Sequence, residues 1–277
     1  MPVTFGELST LTTPLSVARL CAWFLSCLTF SLASVEPQSG QTAFFTFCMV
    51  TWCLFFVLTF LVVVIHFIQF HNLLPLSWKN LTATVAALGA LMTFSASLAF
   101  AWTLRNHFDA KGIAASVSSC LTSLAYVAEL QLIRLQSDGH QRGYMASVPG
   151  LLKVLQVFGG IIGLVLLSIS VKEEDIWRTC VLGVTYSVCL LPSIGTVLVM
   201  LMDCAARSPV PFDRLLASFS LLGLIMYTVG TVVCFTQALG DSKNRLVIMS
   251  ETVMASITLL AYTVDLAFSL KLLCERN

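Results

Sequence analysis

The chain has 277 residues, of which 57% are hydrophobic and only 10% charged. Soluble domains carry about 25% charged residues, and a soluble fold of this size could not cover its surface with so few. With a net charge of +1 and a mean hydropathy of +0.91, a soluble enzyme, a secreted disulfide scaffold, a disordered chain and an electrostatic nucleic-acid binder are all excluded. What remains is an integral membrane protein.

A helix that crosses a bilayer needs about 20 mostly apolar residues. Eight such stretches occur, at 15–35, 43–66, 79–103, 111–134, 150–171, 177–202, 214–237 and 247–271. The first contains Arg19, five residues after Pro14. Ser31-Leu32-Ala33 near its end resembles a leader-cleavage site, but nothing before Arg19 is basic, so the stretch reads as a retained span. The second runs through Cys53 to Ile65 without alternation of polarity, which excludes the strands of a β-barrel. Small residues crowd the third, among them Ala83, Ala86, Ala87, Gly89 and Ala90, and they suit close helix approach. The fourth holds Glu129, five residues before Arg134. The fifth holds Lys153 and a Gly159/Gly163 pair at four-residue spacing. Pro192 lies deep in the sixth, and the eighth carries Asp265, six residues before Lys271.

Short-loop basic residues set orientation. Taking the two tails with the second, fourth and sixth connections collects Arg19, Lys79, Arg134, Arg142, Lys153, Arg207, Arg214, Lys271 and Arg276. The other side has six bases diluted by Glu173, Glu174, Asp175 and Asp241. The bias places both termini in the cytosol, and with them the Asn80-Leu81-Thr82 sequon, which should therefore carry no glycan.

The spans repeat. Leu124-Ala125-Tyr126-Val127-Ala128-Glu129-Leu130 in the fourth returns 136 residues later as Leu260-Ala261-Tyr262-Thr263-Val264-Asp265-Leu266 in the eighth. Pro75 and Pro211 share that offset, and Pro14 and Pro149 are 135 apart. The expected domains are two consecutive four-helix units, 1–140 and 141–277. An even number of spans per unit makes the repeats parallel, unlike the inverted repeats with broken helices common in transporters. A small-solute transporter or channel is the alternative reading.

Four-span units with short loops and cytosolic termini resemble MARVEL domains. Tandem units, Leu76-Ser77-Trp78-Lys79-Asn80, and Tyr144 to Val154 (YMASVPGLLKV) narrow the resemblance to the myeloid-associated differentiation marker family, over nearly the whole chain. The resemblance implies an all-α membrane protein of two parallel MARVEL-like bundles. It implies a non-enzymatic role in organising cholesterol-rich membrane domains and recruiting partners in membrane traffic or cell contact. Plasma membrane or trafficking vesicles would be its location. Membrane lipids including cholesterol, other membrane proteins and cytosolic trafficking or cytoskeletal proteins would be its partners.

The residues themselves point to structure more than to chemistry. His66, His71, His107 and His140 do not converge as metal ligands, and no phosphate loop or nucleophile elbow occurs. No catalytic, cofactor or metal site is expected. Most of the ten cysteines lie in spans as small apolar residues, while Cys204 and Cys274 at cytosolic span ends are candidates for S-acylation. Arg142, Tyr144 and Val148 match a reversed cholesterol pattern at an interface. Gly159 and Gly163 offer a packing face within the unit, between units, or between two copies of the chain in a homo-oligomer. Glu129 and Asp265 are costly inside a bilayer unless paired. Arg19 and Lys153 are bases at similar depth, so two equivalent pairs are expected, Arg19–Glu129 and Lys153–Asp265, each clamping a unit's first helix to its fourth.

Overall fold

The computed structural model describes residues 12–35, 42–68, 76–104, 110–136, 144–170, 176–202, 212–240 and 245–276. Among them are eight α-helices: α1 Pro14–Ser34, α2 Thr42–Phe67, α3 Trp78–Thr103, α4 Ala110–Gln136, α5 Val148–Ser170, α6 Ile176–Leu201, α7 Phe212–Gly240 and α8 Arg245–Arg276. Each is long and apolar enough to cross a bilayer. The protein is an all-α multispan membrane protein.

Helix starts follow local chemistry. Thr13 caps α1 by accepting the Ser16 N–H at 3.3 Å, and Pro14 occupies the first turn, where its missing N–H costs nothing. Pro149 plays the same part in the first turn of α5. The last two helices run beyond the apolar stretches that mark them in the sequence, α8 for 32 residues. A helix continues where hydrophobicity stops, provided that no proline or glycine breaks it, and none lies between Leu246 and Arg276.

The chain forms two compact units, residues 1–146 and 147–277. The boundary falls six residues later than the 140/141 division expected from the repeat. The reason is a short 3-10 turn, Tyr144–Ala146, that packs on α3. Met145 is fully buried there, and its N–H donates to Asn80 Oδ1 at 3.2 Å. The Asn80 side chain is thus used in packing.

In the first unit α1 packs against α2 and α4, and α3 against α2 and α4, closing a ring of four helices. The second unit closes the same way through α5, α6, α7 and α8. In lipid no hydrophobic force drives helices together, so close approach and hydrogen bonds do. Ala83, Ala86, Ala87, Ala90 and Ala96 form the buried face of α3. Buried hydroxyls mostly bond the carbonyl one turn back, as Ser26 does to Ala22 and Thr84 to Asn80, both at 2.8 Å.

Candidate functional site

Among the described residues the buried charged side chains meet one another inside each unit. In the first, Arg19 on α1 points its Nε at Glu129 Oε1 on α4, 2.6 Å away. Both residues are only 3% exposed. In the second, Lys153 on α5 places Nζ 2.5 Å from Asp265 Oδ2 on α8. The same oxygen accepts Gln156 Nε2 at 3.0 Å and the Ser220 hydroxyl from α7, and Lys153 Nζ also donates to Ser220 Oγ at 3.3 Å. The structure therefore brings together all four ionisable residues singled out in the sequence, in the two pairs named. Each pair ties a unit's first helix to its fourth, near the first helix's start and the fourth's end.

The side-chain lengths explain the difference. Arg19 and Glu129 are long, and a guanidinium has several donors in a fixed fork. Lys153 and Asp265 are shorter by comparison, and the single ammonium needs Gln156 and Ser220 to complete the shell around the carboxylate. At the corresponding places in the first unit stand Ala22 and Ala86.

One step inward, each fourth helix presents a tyrosine to the second helix of its unit. Tyr126 OH lies 2.6 Å from Thr59 Oγ1 and donates to the Phe55 carbonyl at 3.2 Å. Tyr262 OH lies 2.9 Å from Ser193 Oγ, with the Cys189 carbonyl at 3.4 Å. A glycine on the third helix makes room for each ring. A Cβ on Gly89 would come within 3.0 Å of Tyr126 Cδ1, and one on Gly223 would overlap the Tyr262 ring.

Sequence reasoning missed a third buried ion pair. Arg178 counts as a loop base when spans are read from hydropathy, yet it lies in the first turn of α6, 3% exposed, with Nη2 2.8 Å from Glu251 Oε2 on α8. Glu251 is fully buried, and it also accepts from Ser170 at 3.4 Å and from Tyr186 OH at 3.3 Å. Tyr186 OH in turn lies 3.7 Å from Cys234 Sγ. Arg178 Nε has no hydrogen-bond partner among the described residues. The signal was present: Glu251, the fifth residue of the last apolar stretch, is a second acid there that demands a base, and Arg178 starts a span.

The remaining candidates divide. Gly159 faces Thr258 on α8 and Gly163 faces the Tyr186 ring on α6, so both glycines serve packing inside the second unit. An added Cβ at either would meet those side chains, and this assigns both to the unit's own interior rather than to a contact between units or copies. Tyr144 is 36% exposed and Val148 49% exposed, at the turn leading into α5. Arg142 and Cys204 lie outside the described residues. Cys274 is exposed near the end of α8, and the nine described cysteines are all free. Among the described residues no group of three or more His, Cys, Asp or Glu side chains could hold a metal ion.

What can this arrangement do chemically? Its ionisable groups are paired, buried and spent on one another, while the outer faces are apolar. Phe24, Leu98 and Leu124 are more than half exposed in the first unit, as are Leu191, Phe235 and Leu260 in the second.

No family model matches the chain, and no solved structure matches it. Curated relatives do. The chain is 30% identical to the myeloid-associated differentiation marker homolog of Xenopus laevis, covering 97% of this chain and 95% of that protein. It is 31% identical to the myeloid-associated differentiation marker of Mus musculus over 97% of this chain and 93% of that one. Identity to the human myeloid-associated differentiation marker-like protein 2 is 30%, over 95% and 93% of the two chains.

Proposed function

The chain belongs to the myeloid-associated differentiation marker family, and from that premise we propose that it is a non-enzymatic organiser of membrane domains. In this reading it gathers cholesterol-rich lipid around two MARVEL-like bundles and recruits membrane or cytosolic partners in traffic or cell contact. The observation that supports the reading is the inward use of every buried charge among the described residues. Arg19, Glu129, Lys153, Asp265, Arg178 and Glu251 neutralise one another inside their units. What each unit offers to its surroundings is an apolar surface, suited to lipid and to other membrane helices. Partners of other kinds would then meet the tails and loops. The relatives are named as markers, which accords with a role in display or organisation.

Placement in the plasma membrane or trafficking vesicles, with both termini cytosolic, belongs to the same proposal. So do acylation of Cys204 and Cys274, which would favour ordered lipid, and a sterol contact at Arg142, Tyr144 and Val148. Epitope tags at the two termini are expected to be protected in intact cells, and a tag at Ser242 exposed. Phase-separated plasma-membrane vesicles test the function itself. The full chain is expected in the ordered phase, to leave it on cholesterol depletion, and to leave it in part when Cys204 and Cys274 become serine. Partition of the wild type into the disordered phase overturns the reading. Solute flux through liposomes containing the purified chain would instead favour a transporter or channel.

A further inference from the structure

The second unit contains a slit lined by a buried lysine and a buried glutamine. It lies between α6 and α7, and its space, counted out through the open mouth, is about 260 Å³. Val188 and Pro192 of α6 and Phe219 and Leu222 of α7 form its apolar walls, and Lys153 and Gln156 of α5 line it as well. Val188 and Leu222 are 39% and 40% exposed, so the mouth is open to the unit's surroundings. One residue of the α6 wall differs in kind from its twin. Pro192 stands inside α6, where its ring removes a main-chain hydrogen bond and crowds the preceding turn. In the first unit, Leu58 stands where Pro192 does and Ala22 where Gln156 does.

The two polar residues are buried, Lys153 at 2% exposure and Gln156 at 1%. Their hydrogen bonding is incomplete in a complementary way. An ammonium has three donors, and Asp265 and Ser220 take two of them. Gln156 spends its amide N–H on Asp265, which turns Oε1 the other way, and Oε1 accepts nothing from the described residues. One spare donor and one spare acceptor thus border a slit that has room for about one water-sized group before its walls move. A hydroxyl is the smallest group that both accepts and donates. A phosphate does not suit the place, because Asp265 already matches the Lys153 charge and an anion would be left uncompensated.

We propose that this slit binds a neutral membrane lipid with a free hydroxyl, which lies between Lys153 and Gln156 while the apolar body runs out past Pro192 and Leu222. A water alone could satisfy the polar residues but would leave the apolar walls unfilled. Diacylglycerols and sterols share the required chemistry, and the test separates them. The inference stands apart from the membrane-organisation reading and requires only that the bundle lie in lipid.

The experiment uses the full-length chain in phosphatidylcholine nanodiscs with a photoreactive diacylglycerol or a photoreactive sterol, each compared with its methyl ether. Labelling by one hydroxyl probe is expected on residues of α6 and α7 between Val188 and Gly223, and which probe labels identifies the lipid class. The ether is expected to label at least fivefold less. Gln156→Leu removes the acceptor, and Leu222→Trp fills the mouth without touching the ion pair. Both are expected to cut labelling at least fivefold, while Leu88→Trp at the matching place in the first unit leaves it unchanged. Should Gln156→Leu fail to fold, Leu222→Trp decides alone. The proposal is overturned if neither probe labels the slit, if ether and hydroxyl label equally, or if Leu222→Trp labels like the wild type.

Discussion

The first three helices of the two units match at an offset of 134 residues and the fourth at 136, so each buried device can be compared with its twin. Near the start of each unit the twins do the same work with different parts. A lone Arg19 neutralises Glu129, whereas Lys153, Gln156 and Ser220 share Asp265. At the far end the twins diverge altogether. The first unit fills that end with an apolar cluster of Ala33, Cys48, Trp52, Ala96, Phe100 and Ala115. The second has Tyr186 at the place of Trp52, Cys234 at that of Phe100 and Glu251 at that of Ala115, with Arg178 to balance the acid. What the fold requires, then, is a filled and neutral interior, and not a given set of side chains. Ion pairs in an interior contribute less than apolar packing of equal volume, but breaking one is costly.

The largest expected effect comes from breaking the pair that only one unit has. Glu251→Gln strands the Arg178 guanidinium and is expected to cost about 3–5 kcal/mol of stability, read as the unfolding midpoint of the purified chain in mild detergent. Converting both positions to their first-unit counterparts, Arg178→Phe with Glu251→Ala, is expected to recover more than half of that loss. A double variant as unstable as the single one would show that the far ends are not interchangeable.

Next in size is the glycine opposite each tyrosine. Gly223→Ala drives a methyl into the Tyr262 ring, with an expected loss of about 2–3 kcal/mol, near the upper end for overpacking. Gly89→Ala meets Tyr126 at 3.0 Å, close enough that a small shift relieves it, and about 1 kcal/mol is expected. Equal losses in the same melting assay would mean that the second unit is no tighter at this contact.

The clamps give a subtler contrast. Arg19→Lys replaces a fork with a single ammonium where Ala22 and Ala86 offer no help, and about 1–2 kcal/mol should be lost. Transplanting the second unit's whole set, by adding Ala22→Gln, Ala86→Ser and Glu129→Asp, is expected to restore part of it. If the transplant is worse than Arg19→Lys alone, the two clamps are not equivalent solutions.

Hydropathy and repetition made much of this legible. Eight helices, the doubling of the chain and the residues of both clamps follow from apolar length and from acids recurring at one offset. The third pair did not follow, because Arg178 and Glu251 have no charged twins and the repeat that exposes Glu129 and Asp265 is silent about them. The unit boundary was displaced for a similar reason. Met145 and Asn80 meet through a main-chain N–H, which leaves no pattern in side-chain types. The Gly159/Gly163 spacing announced close packing but not the partner, since Thr258 and Tyr186 come from helices that a spacing rule cannot name.

The smallest expected effect is also the most symmetrical. Tyr126 and Tyr262 hold the same position in their units, and each hydroxyl meets a Thr or Ser hydroxyl and a carbonyl on the unit's second helix. Removing the hydroxyl leaves the ring in place, so Tyr126→Phe and Tyr262→Phe report the hydrogen bond with little change in packing. Such bonds within membrane helices average about 0.6 kcal/mol, because the freed partner finds another acceptor. Ser193 already donates to the Cys189 carbonyl one turn back at 2.9 Å, and a helical Thr59 can turn to the same kind of acceptor, which keeps the loss near that average. The surroundings differ in one respect. Tyr262 meets Tyr227 in a tilted contact at 5.3 Å, Tyr227 itself lies 5.8 Å from Tyr186, and Tyr126 meets Phe55 edge-on at 5.9 Å. If only the hydroxyl matters, the two substitutions lower the melting midpoint equally. A loss at Tyr262 more than double that at Tyr126 would mean that the row of tyrosine rings couples this hydroxyl to the Arg178–Glu251 end of the unit, and Tyr262→Phe in the Arg178→Phe, Glu251→Ala background would then fall back to the value at Tyr126.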